Sequence, residues 1–152
     1  MAQDHHNVKA FVPLTFGYNY RVGAWMEKYL DGLSEKKILG VKCPSCGKVT
    51  VPPRSVCGAC FTKPEQWVEV PPEGELRTFT VGRVKVAAGE IKDADEPYVI
   101  GMIKLDGADS LLSATVKGID PDNLKPGIRL KAVFSDEPKG TTADLSYFEP
   151  VE

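Results

Sequence analysis

The sequence predicts a mainly β protein: one N-terminal helix, then a small metal-organised ribbon, then a five-stranded barrel. Three observations carry that prediction. All four cysteines fall within eighteen residues as two Cys-x2-Cys pairs, apolar residues before them recur at helical spacing, and apolar residues after Gly74 recur at strand spacing. The 152 residues suffice for one domain or two small ones, and a composition 42% hydrophobic and 26% charged suits neither a disordered nor a fibrous chain.

Residues 1–17 show no sustained period and read as an arm, with His5 and His6 in a solvated tail. From Tyr20 onward, Val22, Trp25, Met26, Tyr29, Leu30 and Leu33 fall three and four apart, which predicts a helix over about 20–38. Gly32 weakens its middle and leaves two shorter helices as an alternative. Trp25, Met26 and Tyr29 suit two roles. They can pack on the chain's own core, or dock on a partner, because the ribbon that follows is too small to cover so broad an apolar face.

The ribbon is read from Cys43 and Cys46 in "CPSCG" and Cys57 and Cys60 in "CGAC". Two residues between cysteines let a tight turn aim both sulfurs at one centre, with Gly47 and Gly58 supplying turn conformations. Two such turns offer a tetrahedron of thiolates. The ten residues between the pairs, Val49 to Pro53 among them, suit a short strand and its turn. This is zinc-ribbon spacing, and it predicts a structural Zn(2+) on Cys43, Cys46, Cys57 and Cys60, since four protein ligands leave no position for water or substrate. Iron in a rubredoxin-like site uses the same ligands and stays open. Disulfides are disfavoured because a chain without a secretion signal should keep its thiols reduced, and a thioredoxin-like redox pair because matched pairs this close saturate one metal.

Pro71 and Pro72 follow the ribbon and predict a boundary, giving an arm and helix over 1–40, a ribbon over 41–70 and a barrel over 71–152. In the last part Phe79 and Val81 share one parity and Val84 and Val86 the other, so a bulge near Gly82 and Arg83 should bend a long first strand. Residues 87–97, "AAGEIKDADEP", read as a long acidic loop. Tyr98 to Leu105 and Leu111 to Val116 follow as strands joined by "DGADS"; then "KGIDPDNLKPGIRL" leaves room for a turn, and Ile128 to Ser135 and Leu145 to Val151 complete five strands. A bent first strand and four partners suggest a closed barrel of the OB type.

Charge narrows the function. The net charge is -2, with residues 1–70 at +3 and 71–152 at -5. OB barrels often bind nucleic acid, so a single-stranded nucleic-acid module is the alternative function; the acidic barrel and the lack of a basic aromatic series disfavour it. No apolar run approaches the roughly 20 residues of a membrane helix, and the start lacks a signal peptide's pattern, so a cytoplasmic location is expected. Around the cysteines sit Lys42, Lys48, Arg54 and Lys63 with no acidic residue from Lys42 to Lys63. They suit screening of the thiolates or contact with an anion. With the cysteines committed to metal, both histidines in the arm and no Gly-x-Ser-x-Gly elbow, the chain reads as non-catalytic on its own.

The order of a helix, "ILGVKCPSCGKVTVPPRSVCGAC", an aromatic "QWVEV" and "GELRTFTVGRV" resembles the OB-fold, zinc-ribbon family of acyl-CoA-associated proteins, long a domain of unknown function. The likeness spans about residues 20–150. It implies a rubredoxin-like zinc ribbon ligated by the four cysteines, and an accessory subunit that bridges thiolases or related condensing enzymes and helps form the coenzyme A channel. The helix with Trp25 would lie on the thiolase, and Lys48 and Arg54, on charge and placement, are the candidates to meet a CoA or acyl-CoA phosphate. Within the family, "FGYNYRVG" and the cysteine segment look most like the small subunits of benzoylsuccinyl-CoA thiolases of anaerobic toluene degradation.

Overall fold

A computed structural model of the chain describes residues 21–87 and 90–151. The arm at 1–17, with His5 and His6, lies outside the described residues, as does the expected start of the helix at Tyr20.

Helix α1 (Ala24–Ser34) is shorter than the predicted span and runs unbroken through Gly32. Its end is set by the backbone. Lys36 takes φ 59, its N–H donates to Leu33 O at 2.9 Å, and the Lys37 N–H donates to Gly32 O at 2.9 Å. This left-handed cap satisfies the last carbonyls and turns the chain into a strand before residue 38. Tyr29 and Leu33 are buried, Met26 and Leu30 pack against the same core, and Trp25 is half-buried. Burial pushes the Tyr29 phenol up to about 12.

Strands β1 (Ile38–Lys42), β2 (Val49–Thr50) and β3 (Gln66–Val70) form a three-stranded antiparallel sheet in the order β2-β1-β3. Val41 pairs with Thr50 on one side and Trp67 on the other. Pro71 and Pro72 then lead into the barrel.

Strands β4 (Glu73–Ala87), β5 (Glu90–Leu105), β6 (Leu112–Val116), β7 (Arg129–Phe134) and β8 (Leu145–Pro150) close in the order β4-β5-β6-β8-β7, and β7 returns to β4. Only the β6–β8 pairing is parallel. Closure removes the open edges that a five-stranded sheet would expose. Register shifts fall between Leu76 and Thr78 and between Gly82 and Val84, the second at the expected parity switch. The segment between β6 and β7 holds one 3-10 turn, Pro121–Asn123, and no α-helix.

The acidic "loop" is a strand. From Glu90, β5 pairs with β4 at Ala87↔Glu90, Val86↔Ile91, Lys85↔Lys92 and Val84↔Asp93, so a two-stranded arm projects beyond the barrel. Alternation was absent because this strand has no buried face: Ile91 is 75% exposed, and Asp93 and Asp95 are exposed too. Lys85 Nζ reaches Asp95 at 2.6 Å. Where the arm leaves the barrel, the ring of Tyr98 lies across Gly82, where a Cβ would collide with it, and the Tyr98 hydroxyl donates to Val84 O at 3.1 Å.

One core runs through the described residues. Tyr29 and Leu33 from α1, Ile38, Val51 and Val70 from the ribbon, and Leu76, Ile103, Leu130 and Phe148 from the barrel belong to a single buried cluster. Two polar seams fix these parts in register. At the helix, Ser34 Oγ donates to Asp144 Oδ2 at 2.9 Å, and Asp144, only 2% exposed, accepts from the backbone N–H groups of Lys139, Gly140 and Thr141. These bonds, the Lys139 N–H first, hold its carboxyl below the usual carboxylate range despite burial. At the ribbon, the "DGADS" turn bonds to β2: Asp109 N–H to Val49 O at 2.8 Å, Val49 N–H to Asp109 Oδ2 at 2.8 Å, and Val51 N–H to Ser110 Oγ at 2.7 Å. Ser110 Oγ in turn donates to Val51 O at 2.8 Å.

Candidate metal centre and the cleft beside it

The two cysteine turns are built alike. In the first, Gly47 N–H donates to Cys43 O at 2.9 Å and Cys43 N–H to Lys48 O at 2.9 Å; in the second, Phe61 N–H donates to Cys57 O at 3.0 Å and Cys57 N–H to Thr62 O at 2.9 Å. Each turn therefore directs its first and fourth side chains to one side, and the four Sγ atoms lie within 4.8 Å of one another.

The donor set fits zinc. Tetrahedral bonds of about 2.3 Å place sulfurs about 3.8 Å apart, and Cys43 and Cys60 stand 3.4 Å apart and Cys46 and Cys57 3.6 Å apart. Four thiols satisfy a tetrahedral ion completely, so the ion they would hold is structural.

The surroundings favour thiolates at two positions. The Thr62 hydroxyl and backbone N–H, with help from Cys43, lower Cys60 to about 6. Backbone N–H groups of Ala59 and Cys60 lower Cys57. At Cys46 the Lys48 N–H also pulls downward, but burial and protons shared with Cys57, Cys43 and Cys60 push it up to about 11. A divalent ion removes the remaining protons.

Lys48 and Arg54 lie on opposite sides of β2 in the sequence, yet both line one open cleft of about 300 Å³ beside the second turn. Thr50, Cys57, Gly58 and Ala59 line it from the ribbon, and Asp109 and Ser110 from the barrel turn. The acidic side of the cleft, Asp109, comes from the other end of the chain's fold and was invisible in the local sequence. Lys42 and Lys63 are not among the residues lining that cleft. Lys63 instead stands over the Trp25 ring at 5.4 Å and pairs with Glu65 at 3.1 Å. A second hollow of about 480 Å³, lined by Val22, Trp25, Met26, Arg54 and Val56 among others, lies between the start of α1 and the ribbon. No helix among the described residues is long and apolar enough to cross a membrane.

Comparison with known proteins agrees with this anatomy. Residues 30–65 match the family model for the rubredoxin-like zinc ribbon domain of ChsH2, and residues 67–135 match that for its C-terminal OB-fold domain. The chain is 29% identical over 119 residues to a DUF35 domain-containing scaffold protein of Methanocaldococcus jannaschii, covering 76% of this chain and 82% of that one. A scaffold protein of the same description from Methanothermobacter thermautotrophicus is 29% identical over 98 residues, covering 64% and 71%. A solved DUF35 structure from Sulfolobus solfataricus superposes with a TM-score of 0.59 at 29% identity, covering 73% of this chain and 78% of that one. The Ltp2-ChsH2(DUF35) aldolase shares the fold, with a TM-score of 0.59 at 20% identity over 81% and 91% of the two chains. A four-thiol ribbon bonded to a closed five-stranded barrel, matched by both halves of one family's models, makes this chain a member of the ChsH2/DUF35 family.

Proposed function

We propose that the chain is a non-catalytic, zinc-holding accessory subunit of an acyl-CoA thiolase complex in the cytoplasm. The observation that carries the reading is the convergence of all four cysteines on one closed centre, which leaves no cysteine free as a nucleophile. A partner enzyme would supply the nucleophile, the bases and the oxyanion hole, while this chain supplies a rigid surface. The fold shared with the DUF35 component of the Ltp2-ChsH2 aldolase supports assembly with an enzyme. Thiolase is our choice of partner. On the resemblance of its cysteine segment, benzoylsuccinyl-CoA thiolase is the specific candidate.

Zinc on Cys43, Cys46, Cys57 and Cys60 would fix the second turn and hence the wall of the cleft that holds Lys48 and Arg54. Two cations facing one cleft suit the phosphates of coenzyme A at a site shared with the partner. In this division of labour, the helix within residues 1–40 and the ribbon over 41–70 meet the partner, the ribbon holds the metal, and the barrel over 71–152 forms the base and completes the cleft with Asp109 and Ser110.

Mixed with the catalytic subunit of a benzoylsuccinyl-CoA thiolase, the chain should co-elute as a larger species and raise thiolysis, and alone it should cleave no acyl-CoA. Replacing both Lys48 and Arg54 by Ala should raise KM for acyl-CoA about tenfold with kcat retained, as expected when a charged contact made equally in ground and transition state is lost. A thiolase fully active without this chain would overturn the proposal.

A further inference from the structure

The two cysteine turns superimpose in their hydrogen bonding but differ at one position. After the fourth residue of each, the chain enters the left-handed region: Gly47 at φ 72 in the first turn and Phe61 at φ 59 in the second. Glycine adopts that conformation without penalty, whereas an aromatic side chain sets its Cβ against the backbone. A single exposed apolar side chain is ordinary on a protein surface. A bulky ring at 81% exposure, placed where the backbone favours glycine and the sister turn has it, is not. The ring contributes nothing to the core to offset its conformational cost, since Phe61 is absent from the buried cluster and its flanking residues.

Resting on the accessory-subunit reading, we propose that Phe61 is the docking anchor of the ribbon. It inserts into an apolar recess of the partner enzyme whose rim is acidic. The choice of rim follows from charge. Lys48 and Arg54 line the cleft against Cys57, Gly58 and Ala59 of the turn that carries Phe61, and although Asp109 also lines that cleft and Lys63 is paired with Glu65, cations outnumber acidic groups there. Buried aromatic anchors ringed by polar contacts carry most of the energy of such interfaces.

The substitution Phe61→Gly separates docking from folding, because a structural role and a docking role predict opposite signs. Glycine suits φ 59, so the variant should keep its zinc content and unfold at the same or a higher temperature than wild type. Its Kd for the catalytic subunit of a benzoylsuccinyl-CoA thiolase, measured by calorimetry with the zinc-loaded full chain, should weaken about tenfold or more. Phe61→Tyr should retain most of the affinity, and wild-type affinity should fall with added salt. A Phe61→Gly chain that binds as tightly as wild type overturns the anchor while leaving the accessory reading intact. A drop in its unfolding temperature overturns the anchor in favour of a structural role. Affinity indifferent to salt overturns the acidic rim. A wild-type chain that binds no thiolase overturns the accessory reading and the anchor with it.

Discussion

The ribbon and the barrel are both small antiparallel β structures, closed by different materials. The barrel closes on apolar side chains: Leu76, Ile103, Leu130 and Phe148 are all essentially inaccessible. The ribbon has three strands, one only two residues long, and its innermost residues include two of its cysteines, Cys43 and Cys57. From Cys43 to Thr62 the buried residues besides those two cysteines are Val51 and Pro53, and a segment with so little apolar burial depends on ligation. The difference teaches that the metal is part of the covalent logic of the ribbon and incidental to the barrel, although Ile38, Val51 and Val70 tie the two into one core.

Metal removal tests this contrast most severely. Chelation at neutral pH should withdraw on the order of 10 kcal/mol from the ribbon. Amide exchange should then accelerate across Cys43 to Thr62 while Val99 to Leu105 stays protected. Equal loss in both segments would mean that the barrel needs the ion as well. Cys57→Ser should reproduce the result without a chelator.

Phe148→Ala is the converse experiment. It opens a cavity at a fully buried site and should cost about 3 to 5 kcal/mol of unfolding free energy in urea. Zinc stoichiometry should remain one per chain, and a loss of metal in the folded variant would blur the distinction between the regions.

The seam between them should respond less. Ser110→Ala removes both bonds to Val51 and leaves a backbone N–H and carbonyl to find other partners, at about 1 to 3 kcal/mol. Exchange at Val51 should quicken more than exchange at Val68, which pairs with Gly40 on the far side of the sheet. Uniform acceleration would deny the seam a local role.

The smallest expected effect is in acid. Asp144 has a depressed carboxyl pKa when folded, so its stabilisation is present above the ordinary carboxylate range and is lost as pH falls through the folded value. Asp144→Asn should therefore flatten the acid limb of a stability-against-pH curve. A variant with an unchanged acid limb would assign that limb to other groups, such as Asp106, which its bond to Arg129 also holds low.

The cysteine turns, the strand-to-strand parity switch at Gly82 and the turn-only segment after β6 were legible because each is encoded locally, in spacing or alternation. The extent of α1 was not, since its end depends on Lys36 adopting a left-handed conformation that its side chain does not advertise. The strand through Glu90 to Glu96 escaped because a strand exposed on both faces leaves no apolar signature. Lys48 and Arg54 could be nominated by charge, but their common cleft with Asp109 needed the barrel turn to fold back on β2. The same distance in sequence hid the union of Ser34 with Asp144.

Beyond the Tyr98–Gly82 clamp, β4 and β5 continue as a two-stranded arm. Among its described residues from Val84 to Tyr98 no side chain is buried, so insertions, deletions and changes of charge there do not reach the interior. Side chains at the described positions of that arm can therefore change in size and charge without disturbing the packing of the barrel, whereas Val99, 3% exposed, cannot.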